Sequence, residues 1–340
     1  MLMKSFRLLG LAFFAFASAL SCTDHDPDPI EFASQEFSKG TLIAPIAITK
    51  GENNRLWVTE QGSATDQGDT WDGRVSMLGE DGTVYPAITG FLSKSSVEKM
   101  PSGLTHLLYK EGMLYILHGV EGRLYKANVA SWKPGDAPLK AADLPYEDLG
   151  SFVKEQIADS TAESNLYNLT WGPGGDLFIT DAAGNMIIRR KSDGSKSVFA
   201  KFEDFDNPKK PVGGPTVDFV PTGIAWDGSK FFVTSLTGFP FNEGLAEIKT
   251  VDDMGGVHDY KKGFTTLVDV VLTDSNKPLV LHFADFSSAF VFEENKGTVN
   301  SEDGGVVLAG LNMPTDIEKV YTNTYYVVSL GNSKVYKLTY

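Results

Sequence analysis

The chain has almost no cysteine: one residue, Cys22, in 340. That excludes an intrachain disulfide and any cysteine-cluster metal site. Histidine is nearly as scarce, with five in all, which argues against a His-rich metal centre. Basic residues are outnumbered, 30 Lys+Arg against 44 Asp+Glu, for a formal net charge of −14. Phosphate contacts need a basic face, so no nucleic-acid partner is expected. Beyond the first 20 residues no apolar run approaches the roughly 18 residues that span a bilayer. Helical periodicity is rare, and only Phe152–Ala158 suggests a short helix.

Glycine, phenylalanine and tyrosine are plentiful, at 34, 22 and 12 residues. Aromatic strands separated by glycine turns suit an all-β protein. Apolar content of 42% and charged content of 22% are ordinary for a folded globular chain.

The first segment reads as an export signal. Lys4 and Arg7 precede an apolar stretch from Leu8 to Leu20, and Ala19-Leu-Ser21 leads to Cys22. Small residues before a lone cysteine resemble a bacterial lipoprotein cleavage site, although Ala19 stands where leucine is usual. The expected division is a lipoprotein signal peptide over 1–21, an acidic tether over 22–29 beginning at a lipidated Cys22, and a folded body over 30–340. Acylation of Cys22 gives membrane attachment without a spanning helix. The tether resembles the export tethers of outer-membrane lipoproteins, which places the body at the periplasmic or cell-surface side. Membrane contact is expected only through that anchor.

The body repeats one pattern six times: a short apolar strand, a turn, and a second apolar strand. The repeats begin at Pro45-Ile-Ala-Ile48, Pro101-Ser-Gly-Leu104, Leu166-Tyr-Asn-Leu169, Pro221-Thr-Gly-Ile224, Leu267-Val-Asp-Val270 and Pro314-Thr-Asp-Ile317. Third strands such as Met186–Arg190 and fourth strands such as Ser197–Lys201 follow. Short strands at this spacing are the mark of propeller blades, so the fold class is all-β, a six-bladed β-propeller. The last repeat ends on its third strand at Tyr340. The stretch 30–37 is expected to supply the missing outer strand and close the ring, because an open ring leaves unpaired edges.

In a blade the first and second strands form an antiparallel hairpin, so strand-one starts lie beside strand-two ends. This predicts a polar collar at one channel mouth. Its strand-one members are Ser102, Asn168, Thr222, Asp269 and Asp316. Its strand-two members are Glu60, His118, Asp181, Ser235, His282 and Ser329. The longer loops fall on the same face: 61–74, with Asp66, Asp69, Trp71 and Asp72; 236–245, with Phe239 and Phe241; and 151–165. Long loops on a rigid scaffold mark a binding face. Trp71, Phe239 and Phe241 are ligand-binding candidates because aromatic faces stack on planar or sugar-like ligands. So are Asn168, Ser235, Asp269, Asp316 and Ser329 as polar groups.

Three stretches carry a family resemblance: Ser164–Asn185 with its Asp-Leu-Phe-Ile-Thr-Asp181 core, Val220–Trp226 followed by Thr234-Ser-Leu-Thr-Gly-Phe-Pro-Phe241, and Met100-Pro-Ser-Gly-Leu104. Over nearly all of 40–340 the chain resembles the ScyD/ScyE family of propeller proteins. It departs from the family's Gly-Pro-Asp-Gly turn at Tyr109-Lys-Glu-Gly112 and Thr273-Asp-Ser-Asn276. The resemblance implies the six-bladed fold and an extracytoplasmic location, and carries over no catalytic set. Gluconolactonase-like propellers often place a metal carboxylate or amide just before the turn glycine of strand one. Those positions here are Ile46, Ser102, Tyr167, Thr222, Val268 and Thr315, none of them a carboxylate or amide.

The expected function is a binding or interaction module at the cell envelope, with a small molecule, a glycan or an envelope protein as partner. The alternative is a hydrolase or lyase, lactonase-like, at the channel mouth, with Glu60, His118, Asp181 and His282 as acid, base or ligand groups. No cofactor is expected. If an ion binds, the candidate is Ca²⁺ on Glu60 or Asp181. His118 and His282 belong to opposite blades and do not meet at one ion.

Overall fold

The computed structural model describes residues 28–96, 99–157, 161–210 and 212–340. The segment read as an export signal, Cys22 and the expected tether up to Pro27 lie outside the described residues. Among the described residues no helix is long and apolar enough to cross a membrane.

Six antiparallel sheets of four main strands follow one another along the chain, and the fold is the six-bladed propeller. The inner strands are Pro45–Lys50, Leu104–Lys110, Leu166–Trp171, Pro221–Trp226, Leu267–Leu272 and Pro314–Tyr321. The ring closes as the sequence predicts. Ala33–Glu36 pairs antiparallel with Lys334–Thr339 and completes the last blade, with Ala33 opposite Thr339. Phe32, just before that strand, buries its ring against Tyr325 and Tyr340. The short helix spans Gly150–Glu155 and sits between blades two and three, while Ala158 lies outside the described residues.

The expected register of blade two is corrected. Leu104, not Pro101, pairs with His118, in the place that Pro45, Leu166, Pro221, Leu267 and Pro314 hold against their own second strands. Pro101–Ser102 instead pairs with the outer strand of blade one, Val84–Ser95, so Ser102 is no strand-one start. That strand runs for 12 residues, and its far end leaves an edge that Pro101–Ser102 covers.

Each inner strand breaks register near its second and third residues: Pro45/Ala47, Leu104/Leu107, Leu166/Leu169, Pro221/Ile224, Leu267/Asp269 and Pro314/Asp316. A bulge re-aims a side chain and frees backbone groups from the ladder. Those groups link the blades. Thr59 Oγ1 donates to the Thr105 carbonyl at 2.6 Å, and Thr105 Oγ1 to that of Leu166 at 2.8 Å. Thr180 Oγ1 donates to the Thr222 carbonyl at 2.8 Å, and Thr222 Oγ1 to that of Leu267 at 2.9 Å. The last two junctions use carboxylates. Asp269 accepts from Ile317 N at 3.0 Å, and Asp316 from Ile48 N at 2.6 Å. Thr59→Val keeps the shape and strands the Thr105 carbonyl. It is expected to cost about 1–2 kcal/mol, read from urea unfolding.

Candidate functional site

The bulges bring one residue from each blade to the axis: Ala47, His106, Asn168, Gly223, Asp269 and Asp316, in blade order. Small residues in blades one and four leave room for the polar four. Asn168 Nδ2 reaches past blade four to donate to Asp269 Oδ1 at 2.9 Å, and Asn168 Oδ1 accepts from Leu169 N. The carboxyl groups of Asp269 and Asp316 lie close enough for either, when protonated, to donate to the other. Burial pushes Asp269 up to about 6. Burial, followed by the neighbouring Asp269 charge, pushes Asp316 well above the carboxylate range. Desolvation is the cause in both cases, because it penalises the ionised form.

His106 completes the group. Its Nδ1 lies 2.8 Å from the Tyr167 carbonyl oxygen. A carbonyl only accepts, so Nδ1 carries the hydrogen and Nε2 the lone pair. Burial pushes the ring down to about 3, so it is neutral at ordinary pH. Tyr167 packs its ring 4.8 Å from the imidazole. Burial and then the Asp269 and Asp316 charges push its phenol up. A cavity of about 250 Å³ begins at these residues and continues along the inner strands past Thr49, Thr170, Trp226 and Glu318. It therefore extends away from the long-loop face. Glu318, pushed up to about 7 by burial, accepts from Lys50 N at 2.8 Å.

The expected single collar is thus two separate sets. Asn168, Asp269 and Asp316 stand at the axis. The strand-two ends are buried and engaged by neighbouring turns and strands. Glu60 takes both Arg74 Nε and Nη2 at 2.7 Å, the Ser76 hydroxyl and Ile43 N. Asp181 takes Ser164 Oγ at 2.6 Å, Gly184 N at 2.7 Å and Asn165 N at 3.2 Å, and burial still pushes its carboxyl up. His118 meets the Leu92 carbonyl at 2.9 Å and Glu121 at 3.4 Å, and burial lowers it. His282, also lowered by burial, has its Nε2 3.5 Å from Asp285. Ser235 Oγ pairs with the backbone of Glu247, and Ser329 Oγ donates to the Asn312 carbonyl. These groups hold turns and hairpins together. The acidic loop is likewise engaged: Asp66 with Lys99, Asp69 with Lys94, and Asp72 with Ser63 and Thr70. Trp71 lies on the strand Thr70–Leu78 rather than in a loop, and is 66% exposed.

The long-loop face carries an apolar pocket of about 480 Å³. Phe239 and Phe241 come from the loop after the second strand of blade four. Phe286, Phe290 and Phe292 come from the matching loop of blade five, with Met100 and Met313 at the edge. Phe241 lies 4.9 Å from Phe286 and 5.0 Å from Phe292, both at steep angles. Phe239 and Phe290 stay 44% and 61% exposed.

No family model matches the sequence, and no curated protein does either. Solved structures do match in shape. An aldose sugar dehydrogenase from Streptomyces coelicolor, solved with PQQ bound, is 12% identical with a TM-score of 0.54, covering 92% of this chain and 99% of its own. A gluconolactonase from Xanthomonas campestris is 13% identical with a TM-score of 0.53, covering 93% and 95%. A streptogramin B lyase is 13% identical with a TM-score of 0.52, covering 91% and 97%. What the chain shares with them is the six-bladed propeller fold. At such identities the likeness is one of fold, and function has to be argued from the site.

His106, Tyr167 and Glu318 are site residues that the repeat pattern alone does not single out. The repeat starting at Pro101 hides His106. Starting it at Leu104 aligns Leu104-Thr-His-Leu107 with Leu166-Tyr-Asn-Leu169 and puts the histidine in the same ring as both aspartates. The phenylalanines at 286, 290 and 292 lie in the fifth repeat, whose start lacks the proline and turn glycine of Pro221-Thr-Gly-Ile224, and carry no spacing signal of their own.

Proposed function

We propose that the protein is a ScyD/ScyE-type propeller, exported and anchored to the outer membrane through acylated Cys22, that binds a small apolar molecule with a ring system. The observation that carries this reading is the pocket of Phe239, Phe241, Phe286, Phe290 and Phe292 on the long-loop face. Its volume falls within the roughly 300–1,000 Å³ of small-molecule sites. Its aromatic edges and faces suit stacking on a planar ligand. The acidic net charge disfavours polyanions as ligands.

The neutral dye N-phenyl-1-naphthylamine tests the pocket. One dye per chain is expected to bind, and a Phe239→Ala, Phe290→Ala protein to bind about tenfold more weakly, a loss of roughly 1.4 kcal/mol. Both side chains are exposed, so the fold survives the change. No saturable binding, or binding equal in the variant, overturns the reading.

A second reading, a hydrolase or lyase, draws on the axial cavity. The neutral imidazole of His106 beside two carboxyl groups able to share a proton is a set able to donate and accept protons. This set, rather than Glu60, His118, Asp181 and His282, supports that alternative.

A further inference from the structure

His106 Nε2 is a buried lone pair with no hydrogen-bond partner, on a residue only 3% exposed. It points at Asp316 Oδ2, 3.9 Å away. That separation is too long for a hydrogen bond. A lone pair facing a carboxylate oxygen is repulsive unless something positive lies between them. A cation at about 2.0–2.2 Å from each atom fits the gap. A third donor is in place: one oxygen of Asp269, one of Asp316 and a ring nitrogen of His106 all lie within 4.8 Å of one another.

The donors are also held in position. His106 Nδ1–H is bound to the Tyr167 carbonyl, so the imidazole cannot turn its lone pair away. Asp269 is fixed by Ile317 N and Asn168, and Asp316 by Ile48 N. Metal ligands are commonly oriented by outer hydrogen bonds of this kind. Asn168 acts here as a positioning residue, since its oxygen is already taken by Leu169 N.

We propose that His106, Asp269 and Asp316 bind a divalent transition-metal ion, Zn²⁺ or one like it, on the propeller axis. One imidazole with two carboxylates favours such an ion over Ca²⁺, which prefers an all-oxygen cage. The site differs from the Ca²⁺ candidates Glu60 and Asp181. Its two aspartates each lie one residue beyond the strand positions, Val268 and Thr315, where lactonase-like metal ligands are expected. It rests on neither reading of function above.

The test uses the purified full chain, stripped with chelator and titrated with Zn²⁺ by calorimetry, with the ions counted by native mass spectrometry. One ion per chain is expected. His106→Gln is expected to weaken uptake at least 100-fold. Asp316→Asn, which keeps the volume and an acceptor for Ile48 N, is the second variant in case the first does not fold. Wild-type protein loaded with Cu²⁺ gives a readout free of mutagenesis, the spin-echo modulation of one coordinated imidazole. No stoichiometric uptake overturns the proposal. So does uptake unchanged in a folded variant, which places the ion at surface groups such as His258 and Asp252, or a Cu²⁺ signal without imidazole.

Discussion

Glu60→Ala is expected to destabilise the protein by about 3–5 kcal/mol, the range for breaking a buried ion pair by removing one partner. Glu60 is fully buried. Its two oxygens take four donors: Nε and Nη2 of Arg74, the Ser76 hydroxyl and Ile43 N. Alanine leaves a largely buried guanidinium without its counter-ion, together with two unpaired polar groups. Removing both charges costs less than removing one, because no uncompensated charge is left inside. The Glu60→Leu, Arg74→Leu double variant is therefore expected to recover at least half of the loss. Urea unfolding of the single and double variants checks this. A loss under 1 kcal/mol for Glu60→Ala means that the pair is not the closed structural unit described. Zn²⁺ uptake should not change in any variant that folds, since Glu60 has no part in the axial site.

Asp316→Asn is expected to be near-neutral around pH 4.5 and clearly stabilising around pH 8, in chelator. In the wild type, Asp269 titrates at about 6 and Asp316 well above its ordinary 3.8. A carboxyl whose folded pKa is raised binds more protons folded than unfolded. Its favourable state is complete at low pH and is lost as pH rises through the folded value. The variant removes the titration of Asp316, which burial and then the Asp269 charge raise well above its ordinary value, and leaves that of Asp269 in place. Asparagine supplies permanently what the shared proton supplies only at low pH. Its amide donates towards Asp269, and its oxygen accepts from Ile48 N.

The groups facing this pair are His106, Tyr167 and Glu318. Tyr167 stays protonated, and Glu318, raised to about 7, titrates in both proteins. Buried neutral histidines act in the opposite sense. His106, His118 and His282 are all lowered, so they lose stability as pH falls below about 6.5. For that reason the measurement is the difference between variant and wild type at each pH, from urea unfolding. A difference that stays flat from pH 4.5 to 8 means that the two carboxyl groups are not coupled through a proton.

The sequence by itself determined the blade count, the positions of most strands and the closure of the ring. These depend on local alternation of apolar residues and turns, and on the need to pair the edge left at Lys334–Thr339. Asn168, Asp269 and Asp316 were legible as polar residues near strand-one starts, and Phe239 and Phe241 as aromatics in a long loop. Only the tertiary structure separated the axial ring from the buried strand-two ends, because both are polar residues at strand ends, and hairpin geometry puts them at the same height. Which of them faces the axis depends on the bulges, and a bulge shifts register by one residue without a mark in the pattern. His106 was hidden for another reason, an outer strand of blade one long enough to pair with Pro101–Ser102. The aromatic pocket needed the fold as well. Its two loops belong to adjacent blades and are about 45 residues apart in sequence, and no local signal relates one loop's phenylalanines to the other's until the blades pack side by side.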